Sequence, residues 1–339
     1  MNDEQPQSLT FAGGEVPATL AGAADAPRDL TYFGFVPAHN PVQPSQAQTV
    51  KEIPRVLAGR YRIERLLGVG GMNLVYKARD LLHEQYGDPD PSVAIKILGE
   101  EIAECADASA LLFSEFALTR HLQHPNIARV FSFNMEPECQ RGFITQELMS
   151  GLTLDKLLCE RPDGLPWSEL RDIALELLDA LAYAHAHGVL HGDIKPSNVM
   201  LDNYRVKLFD FGLGQSFGGV LPGLARLSRE RFNAWTPSYA APELFDGFGL
   251  STGSDMFAVA CVLFELACGK HPYLRVSSEL ARDLNLGRTL RRPRKLPRRC
   301  WPALKRALRL NPNRRTTNAL HLYDAFNAVP VRGFSASFG

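Results

Sequence analysis

From Tyr61 onward, apolar and polar positions alternate. YRIERLLGVGG and LVYKARD read as two strands joined by a glycine-rich turn. An acidic, proline-containing turn (GDPDP) precedes a β-branched run, SVAIKIL. Between Asp107 and Gln123 the period lengthens. Leu111, Leu112, Glu115, Leu118 and Leu122 fall on or near shared faces, which predicts a helix. Two more strands are predicted near Ala128–Met135 and Gly142–Leu148. After Met149, helical spacing dominates. Ser168–Ala186 repeats Leu170, Ile173, Ala174, Leu177, Leu178 and Leu181 at three- and four-residue steps. Asp255–Cys268 is apolar almost all round and predicts a buried central helix. Trp301–Leu310 and Ala319–Phe326 are two further helices. The pattern predicts an α+β chain: a small β-rich lobe, a larger helical lobe beginning near Ser150-Gly151, and a cleft between them. There is no internal repeat.

Residues 1–55 lack this patterning. They hold seven of the 23 prolines, with three basic against six acidic residues. Such a segment cannot bury enough apolar surface to offset the cost of ordering it, so a flexible tail is expected. Its short pieces Leu9–Phe11 and Leu30–Val36 (LTYFGFV) could touch a folded surface. The expected division is tail 1–55, small lobe 56–149, large lobe 150–330 and a short tail 331–339.

Composition narrows the function. With 37 basic and 37 acidic residues in 339, the formal charge is zero. That balance argues against a general nucleic-acid or membrane-surface binder, so no nucleic-acid partner is expected. The six cysteines form no CxxC pair, and most are expected to pack as small reduced apolar groups. The longest apolar run, Met256–Gly269, is too short to span a bilayer and contains Glu265. No secretory signal opens the chain, so a cytoplasmic location is expected.

Four stretches carry chemistry. Leu67-Gly68-Val69-Gly70-Gly71-Met72-Asn73 places glycines between two strands, where bare backbone amides could approach phosphates. A hairpin turn also uses such residues. In Val93-Ala94-Ile95-Lys96, a lysine on an apolar strand needs an anionic partner, either a phosphate pair or Glu115. His191-Gly192-Asp193-Ile194-Lys195-Pro196-Ser197-Asn198 gathers a proton acceptor, a cation and a neutral metal ligand in one loop. Asp210-Phe211-Gly212 follows an apolar strand, and a carboxylate there suits a divalent cation.

These motifs, followed by Ala241-Pro242-Glu243, stand in the order of the eukaryotic-type protein kinases, and the chain resembles that family from about Arg60 to Phe326. GGMxxVYKA, HPNI, DIKPSNVML and TPSYAAPE look most like its bacterial serine/threonine members. The resemblance implies the bilobal kinase fold and transfer of the ATP γ-phosphoryl group to serine or threonine hydroxyls of protein substrates, with autophosphorylation and a role in bacterial signalling. The alternatives are a pseudokinase scaffold and a small-molecule kinase. By resemblance, Leu67, Gly68, Gly70, Val75 and Ala94 line the nucleotide site. Lys96 holds the α- and β-phosphates and pairs with Glu115. Gln146 is the gatekeeper, with Glu147, Leu148 and Met149 as the adenine-reading hinge. Asp193 orients the acceptor hydroxyl, assisted by Lys195 and Thr236. Asn198 and Asp210 ligate Mg²⁺, for which Mn²⁺ could substitute. Asp255 and a Glu243–Arg315 ion pair give structural support.

The sequence also departs from the family pattern. Asn73 stands where the third loop glycine would be, and Trp235 where a glycine normally precedes Thr-Pro. Gly192 replaces the arginine that pairs with an activation-loop phosphate, so activity is expected not to require that phosphorylation. Ser216, Ser228, Thr236 and Ser238 lie in that loop, with Arg226, Arg229 and Arg231 as substitute partners. His185, His187 and His191 are closely spaced, but a metal site is not expected there. Arg288–Arg299 holds seven basic residues in twelve and reads as a solvated loop, with an acidic substrate, acidic partner or RNA as the functional alternative.

Overall fold

The computed structural model describes residues 53–70, 73–99, 108–224 and 236–331. Outside them lie the tail expected over 1–55 except its last three residues, Gly71, Met72, Cys105, Asp107, Arg226, Ser228, Arg229, Arg231, Trp235, and all but Val331 of the C-terminal tail.

The small lobe is one antiparallel sheet. It comprises β1 (Val56–Leu57), β2 (Tyr61–Val69), β3 (Asn73–Asp80), β4 (Ser92–Leu98), β5 (Val130–Glu136) and β6 (Arg141–Gln146), in the order β1-β2-β3-β4-β6-β5. The sheet curls enough for the Ala58 amide beyond β1 to donate to Glu136 on the far edge strand at 2.5 Å. A five-residue helix, α1 (Leu81–Gln85), follows β3. Asp80 caps it and pairs with Arg60 at 2.6 Å. The second helix, α2 (Ala108–His121), packs Leu112 and Phe116 against Leu98 and Ile144 of the sheet.

The large lobe begins with β7 (Leu152–Thr153), α3 (Leu154–Glu160) and α4 (Trp167–Ala186). The short strands β8 (Val189–Leu190), β9 (Val199–Asp202), β10 (Arg205–Leu208) and β11 (Gln215–Ser216) follow, paired as β10-β9-β7 and β11-β8. Then come α5 (Pro242–Phe245), α6 (Thr252–Cys268), α7 (Ser278–Asp283), α8 (Trp301–Ala307) and α9 (Ala319–Asn327). Helix α6 starts at a capping box, in which Ser251 and Ser254 bond each other's backbone amides. It is buried from Ser254 to Ala267, as its all-round apolar sequence predicts. Helix α9 closes the core by laying Leu322 and Phe326 toward α4.

The HPNI segment joins the lobes. Ile127 bridges Leu208, Leu208 N donates to Asn126 O at 2.8 Å, and Ala128 N donates back to Leu208 O at 3.0 Å. Asn126 Nδ2 also reaches Glu176 and the Val206 carbonyl.

The long periodic segments fold as their patterns predict, with shifts at the ends. Trp301–Leu310 stops three residues early, and Ala128–Met135 begins at Val130. The helices α1, α3 and α7 are too short for their periodicity to register, and the pattern does not predict them. Of the five cysteines described, Cys261 and Cys300 are buried in the core and Cys268 packs against it, whereas Cys159 is exposed on the outer side of short α3.

Candidate active site

Sheet register sets the upper wall of the cleft. Gly68 on β2 pairs with Val75 on β3, and Val75 pairs with Lys96 on β4, which pairs with Ile144 on β6. Residues in register across neighbouring strands share a face, so this row aligns the glycine-rich turn with the buried lysine. Leu67, Val75, Ala94 and Met149 pack into one small apolar cluster with Ala128, Met200 and Phe209. Sequence reasoning named the first four and missed the last three. Their signal was present: Met200 lies two residues after Asn198 and Phe209 immediately precedes Asp210.

Gln146 ends β6, paired with Ala94, and is buried. Glu147 turns its carboxylate to the back of the joint. It accepts from Lys207 Nζ at 2.9 Å and from the Arg129 amide at 2.8 Å. This ion pair ties the inter-lobe connection to β10, a link the motifs do not reveal.

Lys96 is almost fully buried, and its Nζ lies 2.6 and 2.7 Å from the two carboxylate oxygens of Glu115 and 2.8 Å from Asp210 Oδ1. The expected pairing of Lys96 with Glu115 is therefore present. Two carboxylates here share one ammonium in a dry site. Burial alone would lower the Lys96 pKa, but the charges of Asp210 and Glu115 outweigh it and raise it. Burial pushes the Glu115 carboxyl up, Lys96 only partly offsets that, and Asp210 adds to it. Asp210 is held low by Lys96 despite its own burial.

Asp210 takes a left-handed backbone with φ of 66°. Next to it, a Cβ on Gly212 would stand 3.1 Å from Asp210 Oδ1 and 3.2 Å from Glu115 Oε2. Glycine at 212 leaves room for both carboxylates. Phe211 between them is fully buried beside the His191 ring, 4.5 Å between centroids.

The lower wall is the loop from His191 to Asn198. Lys195 Nζ lies 2.6 Å from Asp193 Oδ2 and donates to Thr236 Oγ1 at 3.1 Å, and Thr236 donates to Asp193 Oδ1 at 2.9 Å. Asn198 Nδ2 donates to the Asp193 carbonyl at 2.8 Å and to Asp193 Oδ2 at 3.2 Å. Asp255 supports the loop from beneath, accepting from the His191 and Gly192 amides, each at 2.9 Å, with His185 Nε2 2.9 Å away. Burial would raise the Asp255 carboxyl, but His185 and the loop amides hold it below the usual carboxylate range. His191 Nδ1 accepts from the Asp193 amide and Nε2 donates to the Phe209 carbonyl, which defines a neutral imidazole. Burial lowers its pKa in agreement. His185, His187 and His191 thus serve local hydrogen bonds, and no three-residue His/Cys/Asp/Glu metal cluster occurs among the described residues.

The loop admits a hard cation on chemical grounds. Asn198 is fully buried and its Oδ1 has no hydrogen-bond partner among the described residues. A buried acceptor without a donor costs about 1–3 kcal/mol, a deficit that a cation or a water removes. An amide oxygen and the Asp210 carboxylate suit Mg²⁺, which usually takes few protein ligands and keeps waters or phosphates for the rest.

Below the site, Arg315 meets Glu243 of α5 in the expected ion pair, at 2.5 and 3.1 Å, and also donates to the Gly253 and Arg309 carbonyls. Tyr239 donates to the fully buried Glu265 at 2.5 Å, and Arg275 reaches the other oxygen of that carboxylate. The motifs single out neither Glu265 nor Arg275. Glu265 was visible only as an acidic residue inside an otherwise apolar helix.

Residues 61–326 match the protein kinase domain. The chain is 33% identical over 225 residues to the DNA damage-responsive serine/threonine-protein kinase RqkA of Deinococcus radiodurans, covering 66% of this chain and 32% of that protein. It is 32% identical over 270 residues to serine/threonine-protein kinase PkaA of Streptomyces coelicolor, covering 77% and 48%. It is 34% identical over 229 residues to serine/threonine-protein kinase PknJ of Mycobacterium tuberculosis, covering 64% and 35%. The chain thus spans about half or less of the length of these curated relatives. A match over most of the chain, to a domain whose motifs fall on the two walls just described, leads to one conclusion: the chain belongs to the protein kinase family.

Proposed function

We propose that this chain is a serine/threonine protein kinase that transfers the ATP γ-phosphoryl group to hydroxyls of protein substrates, itself included. The observation that carries the reading is the buried Oδ1 of Asn198, unpartnered among the described residues, in a loop with Asp193 and on the same side as Asp210, whose neighbour Phe209 donates its amide to the Asn198 carbonyl at 3.1 Å, with Lys96 reaching Asp210 from the sheet. The printed names of the relatives agree with it.

In this reading the apolar cluster around Val75, Ala94, Met200 and Phe209 takes the adenine, with Gln146, Glu147 and Met149 at its edge. Lys96, oriented by Glu115, binds phosphate oxygens, and glycine at 68 and 70 keeps side chains clear of them, the Gly70 amide itself donating to the Asn73 carbonyl at 2.7 Å. Asp193 holds the acceptor hydroxyl in line and takes its proton. Lys195 and Thr236 hold Asp193 in place and present a positive charge to the transferring group. Asn198 and Asp210 would hold Mg²⁺, for which Mn²⁺ could substitute, since both suit oxygen ligands. The cation supplies charge neutralisation for the phosphates. The lobes divide near Met149, and the cytoplasm, where ATP is abundant, is the expected setting.

Phosphorylation of the activation loop is not required in this reading. Gly192 has φ of 82°, and a Cβ there would lie 2.6 Å from the Leu213 carbonyl oxygen, so backbone fills the space beside the loop. Ser216 already donates its hydroxyl to Leu221 O. Alanine at Ser216 and Ser228 should leave the rate within a few fold of wild type.

The test is phosphate incorporation from labelled ATP into a mixed serine/threonine and tyrosine peptide set, by the purified chain and by Asp193→Asn and Asp210→Asn. Label on serine or threonine that disappears in both variants is the expected result. Equal label in all three would mean a contaminant and would reject the reading.

A further inference from the structure

The zero net charge conceals a strong asymmetry. Between Leu284 and Tyr323 there are twelve lysines and arginines and no aspartate or glutamate, whereas the rest of the chain has 25 basic against 37 acidic residues. The loop between α7 and α8, α8 itself and the turn after it carry this charge. Among the described residues, only Arg315 of the twelve pairs with a carboxylate, Glu243. Arg288, Arg294, Arg298, Arg299, Arg306 and Arg309 are all exposed.

The surface is built rather than loose. Arg292 bonds the Pro293 carbonyl at 3.2 Å and also the Leu296 carbonyl, and Lys295 Nζ bonds the Gly164 carbonyl at 2.6 Å. Leu290, Leu296, Leu304 and Leu308 are buried in the core of the large lobe. The loop before α8 meets the turn after it, since a Cβ on Gly287 would lie 3.5 Å from Leu310 Cδ1. Arg309 is placed by two bonds from Arg315 to its carbonyl, at 3.1 and 3.0 Å. The unpaired cations therefore share one rigid region.

Like charges held together without counter-charges repel, and such a region gains most from a polyanion. Ten of the twelve are arginine, whose planar fork matches phosphate oxygens two at a time. No large apolar side chain is exposed between Arg288 and Arg314. Protein interfaces usually centre on apolar anchors, and membrane-surface segments insert them. A surface that offers charge without anchors suits a partner bound through its backbone phosphates. We propose that this face of the large lobe binds the phosphodiester backbone of nucleic acid, as a docking surface separate from the phosphoryl-transfer site. This proposal runs against the expectation drawn from net charge, which averages over a dipolar molecule.

The test is fluorescence anisotropy of the full chain with a labelled 20-nucleotide single-stranded RNA and a labelled 20-base-pair DNA duplex, at 50 and 200 mM salt. At least one should bind at low salt, and four phosphate contacts would weaken binding about 50- to 150-fold at the higher salt. Which probe binds identifies the nucleic acid. The variant Arg294→Gln/Arg298→Gln/Arg299→Gln/Arg306→Gln should lose the binding and keep both its melting temperature and its phosphate incorporation into peptide. The same four positions changed to lysine should keep the salt dependence, and Arg298→Gln/Arg299→Gln alone should give an intermediate loss. Three results would overturn the proposal: neither probe bound at 50 mM salt, the glutamine variant binding like wild type, or poly-glutamate displacing the probe at lower charge concentration than unlabelled nucleic acid. The last would assign the face to an acidic protein.

Discussion

The two walls of the cleft hold their functional groups by different means. On the sheet side, α2 reaches the site through one carboxylate, and buried Lys96 and Glu115 meet half-buried Asp210, one positive charge against two negative. On the helical side, Asp255 collects two loop amides and a histidine, so the loop is fixed through its backbone. The first arrangement is a net-negative charge cluster that protonation or a bound ion can tip. The second is a scaffold whose bonds do not depend on substrate. The comparison teaches that one wall is tunable and the other is given.

The largest effect should come from the group both walls serve. Asp193→Asn should cut kcat by about 10²–10⁴-fold with little change in melting temperature, measured as steady-state phosphorylation of a peptide. A small loss would move the proton acceptor elsewhere.

Next, Asp255→Ala should destabilise the fold by about 3–5 kcal/mol in denaturant titrations, since buried donors lose their charged acceptor. The pH responses of the two walls should also oppose each other. Asp255 is depressed below its ordinary 3.8, so its contribution is present above that pH and lost as pH falls through the folded value. Glu115 is raised above 4.5, so its contribution is full below that pH and is lost as pH rises through the folded value. Lys96→Met should accentuate the second trend and be relatively less stable at pH 8 than at pH 5. The same trend for both walls would break the comparison.

The helical wall has a titrating group of its own. His271 is buried and lowered from 6.5 to about 4, mainly by burial and then by Arg275. Its Nδ1 accepts from the Tyr273 and Arg275 amides, so folding selects the neutral ring. The unfolded chain binds the extra proton first, so stability should fall by roughly 3 kcal/mol as pH drops from 6.5 to 4. Comparing the pH–stability curve with that of His271→Gln, which should be flatter, checks this.

The smallest effect should be Gly192→Ala. A left-handed residue with a Cβ set against the Leu213 carbonyl should cost about 1–3 kcal/mol. The rate should fall with it, because Gly192 adjoins Asp193. Unchanged stability would mean the loop is less rigid than its bonds to Asp255 indicate.

Much of the site was legible because its chemistry is local in sequence. Asp193, Lys195 and Asn198 fall within six residues, and Asp210 and Gly212 are two apart. The Glu147–Lys207 and Tyr239–Glu265–Arg275 contacts join residues 60, 26 and 10 positions apart, and no short pattern carries them. The floor residues Met200 and Phe209 can be located in the sequence by their spacing from Asn198 and Asp210, but only the fold packs them with Val75 and Ala94.

From sequence alone came the elements long enough to repeat their period, the order of the motifs, and the one-signed charge of the stretch after α7. Those properties depend on neighbours along the chain, where spacing translates directly into helix face or strand face. Tertiary structure alone decided that two carboxylates share Lys96, that Asn198 keeps an oxygen without a donor among the described residues, and that a carbonyl occupies the place beside Gly192. Each is a question of which groups become dry together, and burial is set by how the lobes pack.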